Sequence, residues 1–247
     1  MEHIHELVAH PTVRHLLLVS TIEGGKAAIR LLDTVKGSYL LNVPLACSGV
    51  SSCAFSPDGS CIALACKDKL LRVFDPRRPD EINDGPSHDS QRPAKVLWMD
   101  SDHLVSTGFS KSANREVLVH SLVDANALRT IGRSTLDVSP APLFPFYDPD
   151  TEILYVFAKG ERICHALELE LSDGKATLLK LPSFEHGTIQ ISLAFQPKID
   201  SVDVKKIEVA KCFRLSSSTI EVVTFSIPRA RVRYFSLSPL FIRRRCK

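Results

Sequence analysis

Carboxylate, histidine and cysteine side chains are the groups in this sequence that could support catalysis or bind a metal. Asp148 and Asp150 could be a carboxylate pair for acid–base chemistry. However, a proline separates them and apolar runs flank them, and this pattern favours a turn. The nearest approach to a histidine cluster is formed by His3, His5 and His10. An exposed strand edge with one turn histidine is a simpler explanation of these residues than a metal site. The seven cysteines include no Cys-x-x-Cys pair, which favours small buried thiols over a zinc site. We therefore expect no catalytic residue, no metal ligand and no cofactor.

Motifs that mark the common enzyme classes are also missing from the sequence. It contains no G-x-S-x-G nucleophile turn, no H-E-x-x-H zinc motif and no phosphate-cradling G-x-x-x-x-G-K-[ST] loop. The glycine pair before Lys26 is too short a signal for a phosphate site. The sequence therefore predicts a protein that is not an enzyme.

Basic side chains recur in the predicted turns, and rigid loops are where binding residues accumulate. Taken one at a time, these side chains are equally well explained as solvated charges that keep the loops soluble. Taken as a set, they favour association with an acidic partner, and that association weakens as salt rises. The predicted partner-binding set comprises Lys67, Lys69, Arg77, Arg78, Lys111, Arg115, Lys159 and Arg162.

The charge balance of the chain is uneven along its length. Its 247 residues include 31 basic and 28 acidic side chains, which gives a formal net charge of +3. Seven of the basic residues follow Glu221 with no acidic residue among them, so the rest of the chain is slightly acidic. The charge therefore does not favour nucleic-acid binding. No apolar run approaches the roughly 18 residues of a membrane span.

Short apolar runs separated by charged or Asp-Gly turns predict strands rather than long helices. Residues 50–55, 61–66 and 70–75 form a three-stranded meander of this kind. Similar units begin near residues 4, 50, 94, 142 and 190, and a spacing of roughly 45 residues is typical of four-stranded propeller blades. The pattern predicts an all-β, WD40-type β-propeller with about five recognisable blades. An unrelated all-β sandwich is the alternative that fits the pattern.

Several segments also resemble a known family in both residues and order. The segment PFYDPDT at residues 145–151 resembles the PF(Y/F)DPDT motif of the coronins, and TGFSK at residues 107–111 resembles their TGFS segment. The segment VAKCFRL at residues 209–215, with IPR at residues 227–229, is similar to the part that closes a coronin propeller. The resemblance covers most of residues 5–235, and its end is more similar to the long, tandem-propeller coronins.

The resemblance implies a seven-bladed propeller, so we expect a chain truncated at both ends relative to the family. We expect a partial coronin-like propeller in residues 1–235 and a divergent, disordered basic tail in residues 236–247. A product of splicing or of the gene model is the favoured explanation of the tail. A nuclear-localisation signal, a nucleic-acid-binding segment and a lipid-binding segment are the alternatives. The family's actin-contacting surface lies largely in the early blades, which are the blades expected to be missing.

Two functions of different classes follow from the resemblance. The first is a non-enzymatic actin-filament-binding and cytoskeleton-organising module, located in the cytoplasm with the cytoskeleton. The second is a propeller scaffold at the Golgi or vesicle periphery that binds trafficking proteins, or microtubules, without binding actin directly. An inert fragment is the third reading. No nucleic-acid partner and no transmembrane segment are expected.

Overall fold

The chain folds into antiparallel sheets of short strands, as its period-two patterning and turn residues dictate. The computed structural model describes residues 3–122, 128–198, 202–203 and 208–226. Within them, twenty strands form five sheets, one for each predicted sequence unit. The prediction of an all-β propeller with five blades is confirmed. In the described part of the chain, no helix has the length and apolar character needed to cross a membrane.

The strands follow one another in each blade without crossovers. Blade 1 contains β1 (His3–Ala9), β2 (Leu16–Glu23), β3 (Lys26–Asp33) and β4 (Ser38–Pro44). Blade 2 contains β5 (Val50–Phe55), β6 (Ile62–Cys66), β7 (Leu70–Phe74) and β8 (Ile82–Pro86). Blade 3 contains β9 (Lys95–Trp98), β10 (His103–Phe109), β11 (Arg115–Ser121) and β12 (Arg129–Thr135). Blade 4 contains β13 (Leu143–Asp148), β14 (Ile153–Ala158), β15 (Ile163–Ser172), β16 (Lys175–Lys180) and the short β17 (Phe184–Glu185), and blade 5 contains β18 (Ser192–Phe195), β19 (Glu208–Leu215) and β20 (Ile220–Ser226).

Four apolar clusters lie between successive blades and hold them face to face. Leu18 of blade 1 packs with Leu64 of blade 2, and Val117 of blade 3 packs with Leu154 of blade 4; all four side chains are fully buried. Separate clusters join blades 2 and 3 and blades 4 and 5. In blades 1 to 4 the first strands of neighbouring blades also contact one another, as β1 with β5, β5 with β9 and β9 with β13. Burial of apolar area between sheets therefore supplies the main stabilisation.

The turns divide between two faces of the propeller. The turn after the second strand of a blade contacts the connections between blades: Lys67 N–H donates to the Gly49 carbonyl at 3.0 Å, and Ser87 N–H donates to the Lys69 carbonyl at 3.0 Å. We call this side the upper face. The turns after the first and third strands contact one another on the opposite side, the lower face, where Leu122 N–H donates to the Asp102 carbonyl at 2.9 Å.

On the lower face, one turn glycine is required by both its backbone angle and its neighbour. Gly59 ends the Ser-Pro-Asp-Gly turn of blade 2 with φ of 80°, in the left-handed region that favours glycine. An added Cβ there would lie 2.1 Å from the His10 ring, whose Nε2 is 3.2 Å from the Gly59 carbonyl oxygen. This contact joins the lower turns of blades 1 and 2.

The two terminal blades expose apolar side chains that the middle blades bury. In blade 1, Leu7 and Leu40 are 56% and 57% exposed, and in blade 5, Ile220 and Val222 are 73% and 58% exposed. Strands at the same positions in blades 2–4 pack against neighbouring sheets. The outer faces of blades 1 and 5 are therefore apolar and solvent-exposed.

Candidate functional site

The upper face brings together most of the basic residues predicted from sequence. Each lies in a turn that follows the second strand of its blade, and each side chain is exposed. They are Lys67 and Lys69 in blade 2, Lys111 in blade 3, and Lys159 and Arg162 in blade 4.

One lysine recurs at a similar position in four consecutive blades. In blades 2, 3 and 4 it follows the second strand by one or two residues, and in blade 1 it is the first residue of the third strand, directly after the equivalent turn. We call this set the upper lysine arc; it consists of Lys26, Lys67, Lys111 and Lys159. None of the four amines forms an ion pair with any residue that the structure describes. Their charge is therefore free to meet an acidic partner. The sequence reasoning missed Lys26, which lies at the start of a strand and not at the position within the unit that the other three lysines share.

Other charges of the upper face are already paired or stacked. The Lys69 amine lies 2.7 Å from an Asp89 carboxylate oxygen. The Arg92 guanidinium lies 4.9 Å from the centre of the Phe109 ring, a cation–π contact. A surface cavity of about 350 Å³ opens beside the arc in blade 3, and it is lined by Asp89, Ser110, Lys111, Ser112, Glu116 and Arg133. This cavity has both basic and acidic walls.

Arg77 and Arg78 do not belong with the upper lysine arc. They lie in the turn after the third strand of blade 2, which opens on the lower face. Arg77 pairs with Asp75 at 2.7 Å, and Arg78 pairs with Glu81 at 3.3 Å. Lower-face turns of blades 2 and 3 also carry the exposed carboxylates of Asp58, Asp80, Asp100 and Asp102. Proximity in sequence suggested one basic set, but the alternation of turns between faces separates it.

The structure also corrects the prediction for Arg115. Its side chain is 1% exposed, so it is not available to a partner at the surface. The guanidinium contacts Asp137 at 2.5 Å and Glu161 at 2.9 Å, and Glu161 belongs to the neighbouring blade. The Arg115 hydrogen bonds hold the pKa of Asp137 below its ordinary value. Arg115 therefore joins blades 3 and 4 as a structural residue.

A buried polar chain in blade 3 resembles the hydrogen-bond order of a serine hydrolase. His88 Nδ1 lies 3.0 Å from Glu116 Oε1, and His88 Nε2 lies 3.0 Å from Ser106 Oγ. His120 Nε2 lies 2.8 Å from the same Ser106 oxygen, and its Nδ1 lies 3.2 Å from Thr130 Oγ1. All of these groups have a hydrogen-bond partner when both histidine rings are neutral, since each ring then donates one hydrogen bond and accepts one.

This chain does not form an accessible catalytic triad: Glu116 lines the blade 3 cavity, but the serine and both histidines are buried. Ser106 and His120 are 0% exposed, and His88 and Glu116 are each 2% exposed. Burial lowers the pKa of His120 to about 3, which keeps the ring neutral. An added Cβ at Gly108 would lie 2.5 Å from the His88 ring, so glycine makes room for this chain. The sequence reasoning missed this chain, because its bonded residues are 10 to 28 positions apart in the sequence.

Asp148 and Asp150, the carboxylates considered for acid–base chemistry, form part of a turn. Asp148 is 2% exposed and accepts from the Thr151 hydroxyl at 2.5 Å and from the Lys198 amine at 2.6 Å. Among the described residues, no group of three or more His, Cys, Asp and Glu side chains is placed to hold a metal ion. Residues 227–247, which include the predicted basic tail, lie outside the described residues, and the predicted domain boundary at residue 235 stays a prediction.

Comparison with solved structures defines the class of fold. The WD40 domain of a Toxoplasma gondii coronin superposes with a TM-score of 0.79 at 22% identity, covering 94% of this chain and 58% of that one. A chain of a mitotic checkpoint complex superposes with a TM-score of 0.60 at 15% identity, covering 87% of this chain and 62% of that one. This chain is therefore a WD40-type β-propeller.

Comparison with known sequences defines the family. Coronin-7 of Bos taurus is 33% identical over 239 residues, covering 95% of this chain and 25% of that protein. The coronin-like protein of Saccharomyces cerevisiae is 31% identical over 230 residues, covering 92% and 34%. Coronin-A of Dictyostelium discoideum is 32% identical over 181 residues, covering 73% and 39%. No protein-family model matches the chain.

This chain is a coronin homologue. It spans about a quarter to two fifths of the length of these relatives. Its predicted similarity to the long, tandem-propeller coronins in particular stays a prediction, since the identities to these relatives are nearly equal.

Proposed function

We propose that this chain is a non-enzymatic, coronin-like actin-filament-binding module that helps to organise the cytoskeleton in the cytoplasm. Two things support the proposal. The chain is a homologue of coronins over 95% of its length. Its upper face presents unpaired lysines from four consecutive blades, and actin filaments are acidic. Association through such a face is favoured by long-range attraction and weakens as salt rises.

The upper lysine arc is the observation that carries the proposal. The backbone of these turns is held by the strands on either side, so the four amines start from fixed positions on one face of the propeller. Because Arg77 and Arg78 are paired and face the other way, the filament is expected to meet the upper face.

Co-sedimentation with actin filaments across a salt series tests the proposal. The test variant replaces Lys67, Lys111 and Lys159 with alanine, and its matched control replaces the lower-face Lys36, Arg77 and Arg78. Both variants remove three positive charges, so an effect of net charge alone is the same in each. Three exposed charge contacts of about 0.5 kcal/mol each correspond to roughly tenfold weaker binding. We expect that loss, with a shallower salt dependence, in the upper-face variant alone.

Equal loss in both variants would show that net charge, and not the upper face, drives the association. Binding by residues 1–247 but not by residues 1–235 would assign it to the basic tail. If neither chain pelleted while both stayed soluble, direct actin binding would be refuted, and the trafficking scaffold or an inert fragment would take its place.

A further inference from the structure

The surface cavity of blade 3 is built from segments that are far apart in the sequence. Its walls come from the connection between β8 and β9, the turn between β10 and β11 with the start of β11, and the strand β12. The lining residues are Asp89, Ser110, Lys111, Ser112, Glu116 and Arg133. Its volume of about 350 Å³ is enough for one side chain and the backbone beside it.

The turn between β10 and β11 keeps one hydroxyl proton free. Ser110 Oγ and Ser112 Oγ lie 3.0 Å apart, so one of them donates to the other. Both oxygens also accept from Asn114, Ser110 from its N–H at 3.2 Å and Ser112 from its Nδ2 at 3.1 Å. Each hydroxyl carries one proton, and only one of the two protons has an acceptor among the described residues. One serine can therefore donate to a ligand in the cavity.

The two basic side chains of the cavity keep free donors as well. Lys111 forms no ion pair with any residue that the structure describes. The Arg133 side chain is 63% exposed, and its Nε lies 3.7 Å from Glu116 Oε2, which is longer than a hydrogen bond. Its forked pair of Nη donors, whose geometry matches a carboxylate, therefore stays available.

The acidic walls limit the charge that a ligand can carry. Asp89 Oδ1 lies 2.7 Å from Lys69 Nζ, and Glu116 Oε1 lies 3.0 Å from His88 Nδ1. With Lys69 included, three cations face two carboxylates, which favours a ligand with one negative charge over a ligand with two. The other oxygen of Asp89 has no donor in the described part of the chain, so it can accept from a backbone N–H.

We propose that this cavity binds the carboxylate of an aspartate or glutamate side chain in an acidic protein segment. Arg133, Lys111 and one serine hydroxyl donate to the carboxylate, and Asp89 accepts from a backbone N–H of the same segment. A small free acid lacks that N–H and stays largely hydrated in an open cavity, so a protein segment is the favoured source. The inference does not rest on actin binding, because any protein that presents such a segment can occupy the cavity.

A two-dimensional NMR titration of the isotope-labelled full chain at pH 7 tests the proposal. The probe is the peptide acetyl-Gly-Gly-Glu-Gly-Gly-amide, whose only charge is one carboxylate, and its control has glutamine in place of glutamate. We expect saturable shifts of the backbone signals of the cavity residues with the glutamate peptide alone. Shifts centred elsewhere on the chain, or equal shifts with the glutamine peptide, would overturn the proposal.

Single substitutions identify the groups that bind the probe. Lys111→Gln and Arg133→Gln should each weaken binding roughly tenfold, and Arg133→Lys, which keeps the charge but loses the fork, roughly threefold. Lys159→Gln removes the same charge from the upper face outside the cavity and should weaken binding less than about twofold. Equal losses in Lys111→Gln and Lys159→Gln would assign binding to the charge of the face and not to the cavity. The unshifted signals of each variant show that it is folded.

Two further ligands test the source and the charge of the carboxylate. Propionate has a carboxylate without a backbone and should bind about threefold more weakly than the glutamate peptide; equal affinity would assign the cavity to small free acids. A peptide with phosphoserine in place of glutamate carries nearly two negative charges and should bind no more tightly; tighter binding would overturn the assignment to a carboxylate. These titrations contain no actin, so their failure and a failure of actin co-sedimentation are separate results.

Discussion

Replacing Arg115 with alanine removes a buried charge that joins blade 3 to blade 4. The guanidinium is 1% exposed and contacts the Asp137 and Glu161 carboxylates, and it also donates to the Ala141 carbonyl at 3.3 Å. Without it, the Asp137 and Glu161 carboxylates and the Ala141 carbonyl each lose a donor at the interface between blades, although Ser139 still donates to Glu161 at 2.6 Å. The variant should fold less stably because these groups were desolvated for a partner that is gone.

The size of the effect follows from how much water can replace the lost donor. Breaking a fully buried pair by removing one member costs about 3–5 kcal/mol. Asp137 and Glu161 keep 38% and 23% of their side-chain surface exposed, so water can partly restore their solvation. We therefore expect the lower end, about 3 kcal/mol, which in a chain of this size shifts the melting temperature by roughly 6–12 °C.

Thermal unfolding followed by circular dichroism measures the shift, with Lys111→Ala as the matched control. Lys111 lies in the turn that precedes Arg115, is exposed and should change stability by no more than about 0.5 kcal/mol. Below its melting temperature, Arg115→Ala should pellet with actin filaments like the parent chain, because its side chain does not reach the surface.

An unchanged melting temperature in Arg115→Ala would refute the assignment of Arg115 as a structural link between blades. Weaker actin binding by a fully folded Arg115→Ala chain would instead restore it to the partner-binding set.

Three further outcomes are expected. Ser106→Ala removes the partner of the Nε2 atom in both His88 and His120, whose Nδ1 atoms keep Glu116 and Thr130. Chemical denaturation should show a loss of about 2–4 kcal/mol in the free energy of unfolding; a loss below about 0.5 kcal/mol would contradict the assigned chain. Burial holds the pKa of His120 in the folded state at about 3, whereas its pKa in the unfolded chain is about 6.5. The contribution of His120 to the free energy of unfolding is therefore complete above pH 6.5 and falls as the pH drops below that value. The stability should decrease by roughly 2 kcal/mol between pH 8 and pH 5, and a His120→Gln chain should lack this component. Phe225 is 3% exposed, and its ring centre lies 4.9 Å from that of Tyr155. Phe225→Ala should lower the free energy of unfolding by about 3–4 kcal/mol. Urea unfolding measures the loss, with Ile220→Ala at the exposed face as the control.

Periodicity and turn chemistry made the fold predictable without any structure. Strands alternate side chains with a period of two, and Asp-Gly or charged turns end them, so each blade is encoded within one unit of roughly 45 residues. The segment PFYDPDT at residues 145–151 added the family, because its order of residues is specific. Local patterns of this kind are read directly from the chain.

The partner-binding surface was only partly predictable, because charge and turn position are local whereas exposure is not. Lys111 and Arg115 are four residues apart and both basic, yet one is exposed and the other is 1% exposed. The difference is made by Glu161, which the next blade brings to within 2.9 Å of Arg115. Likewise, Lys69 and Arg77 are eight residues apart but lie on opposite faces, since one strand of the blade separates their turns.

The sequence by itself determined the strands, the repeat, the family and the basic character of the turns, because each depends on residues close together in the chain. The tertiary structure alone decided which charges are free, and it brought Glu116 to His88 across 28 residues and Glu161 to Arg115 across 46. Such pairs form only when blades pack, since burial and long-range contacts set the solvation and partners of each polar group.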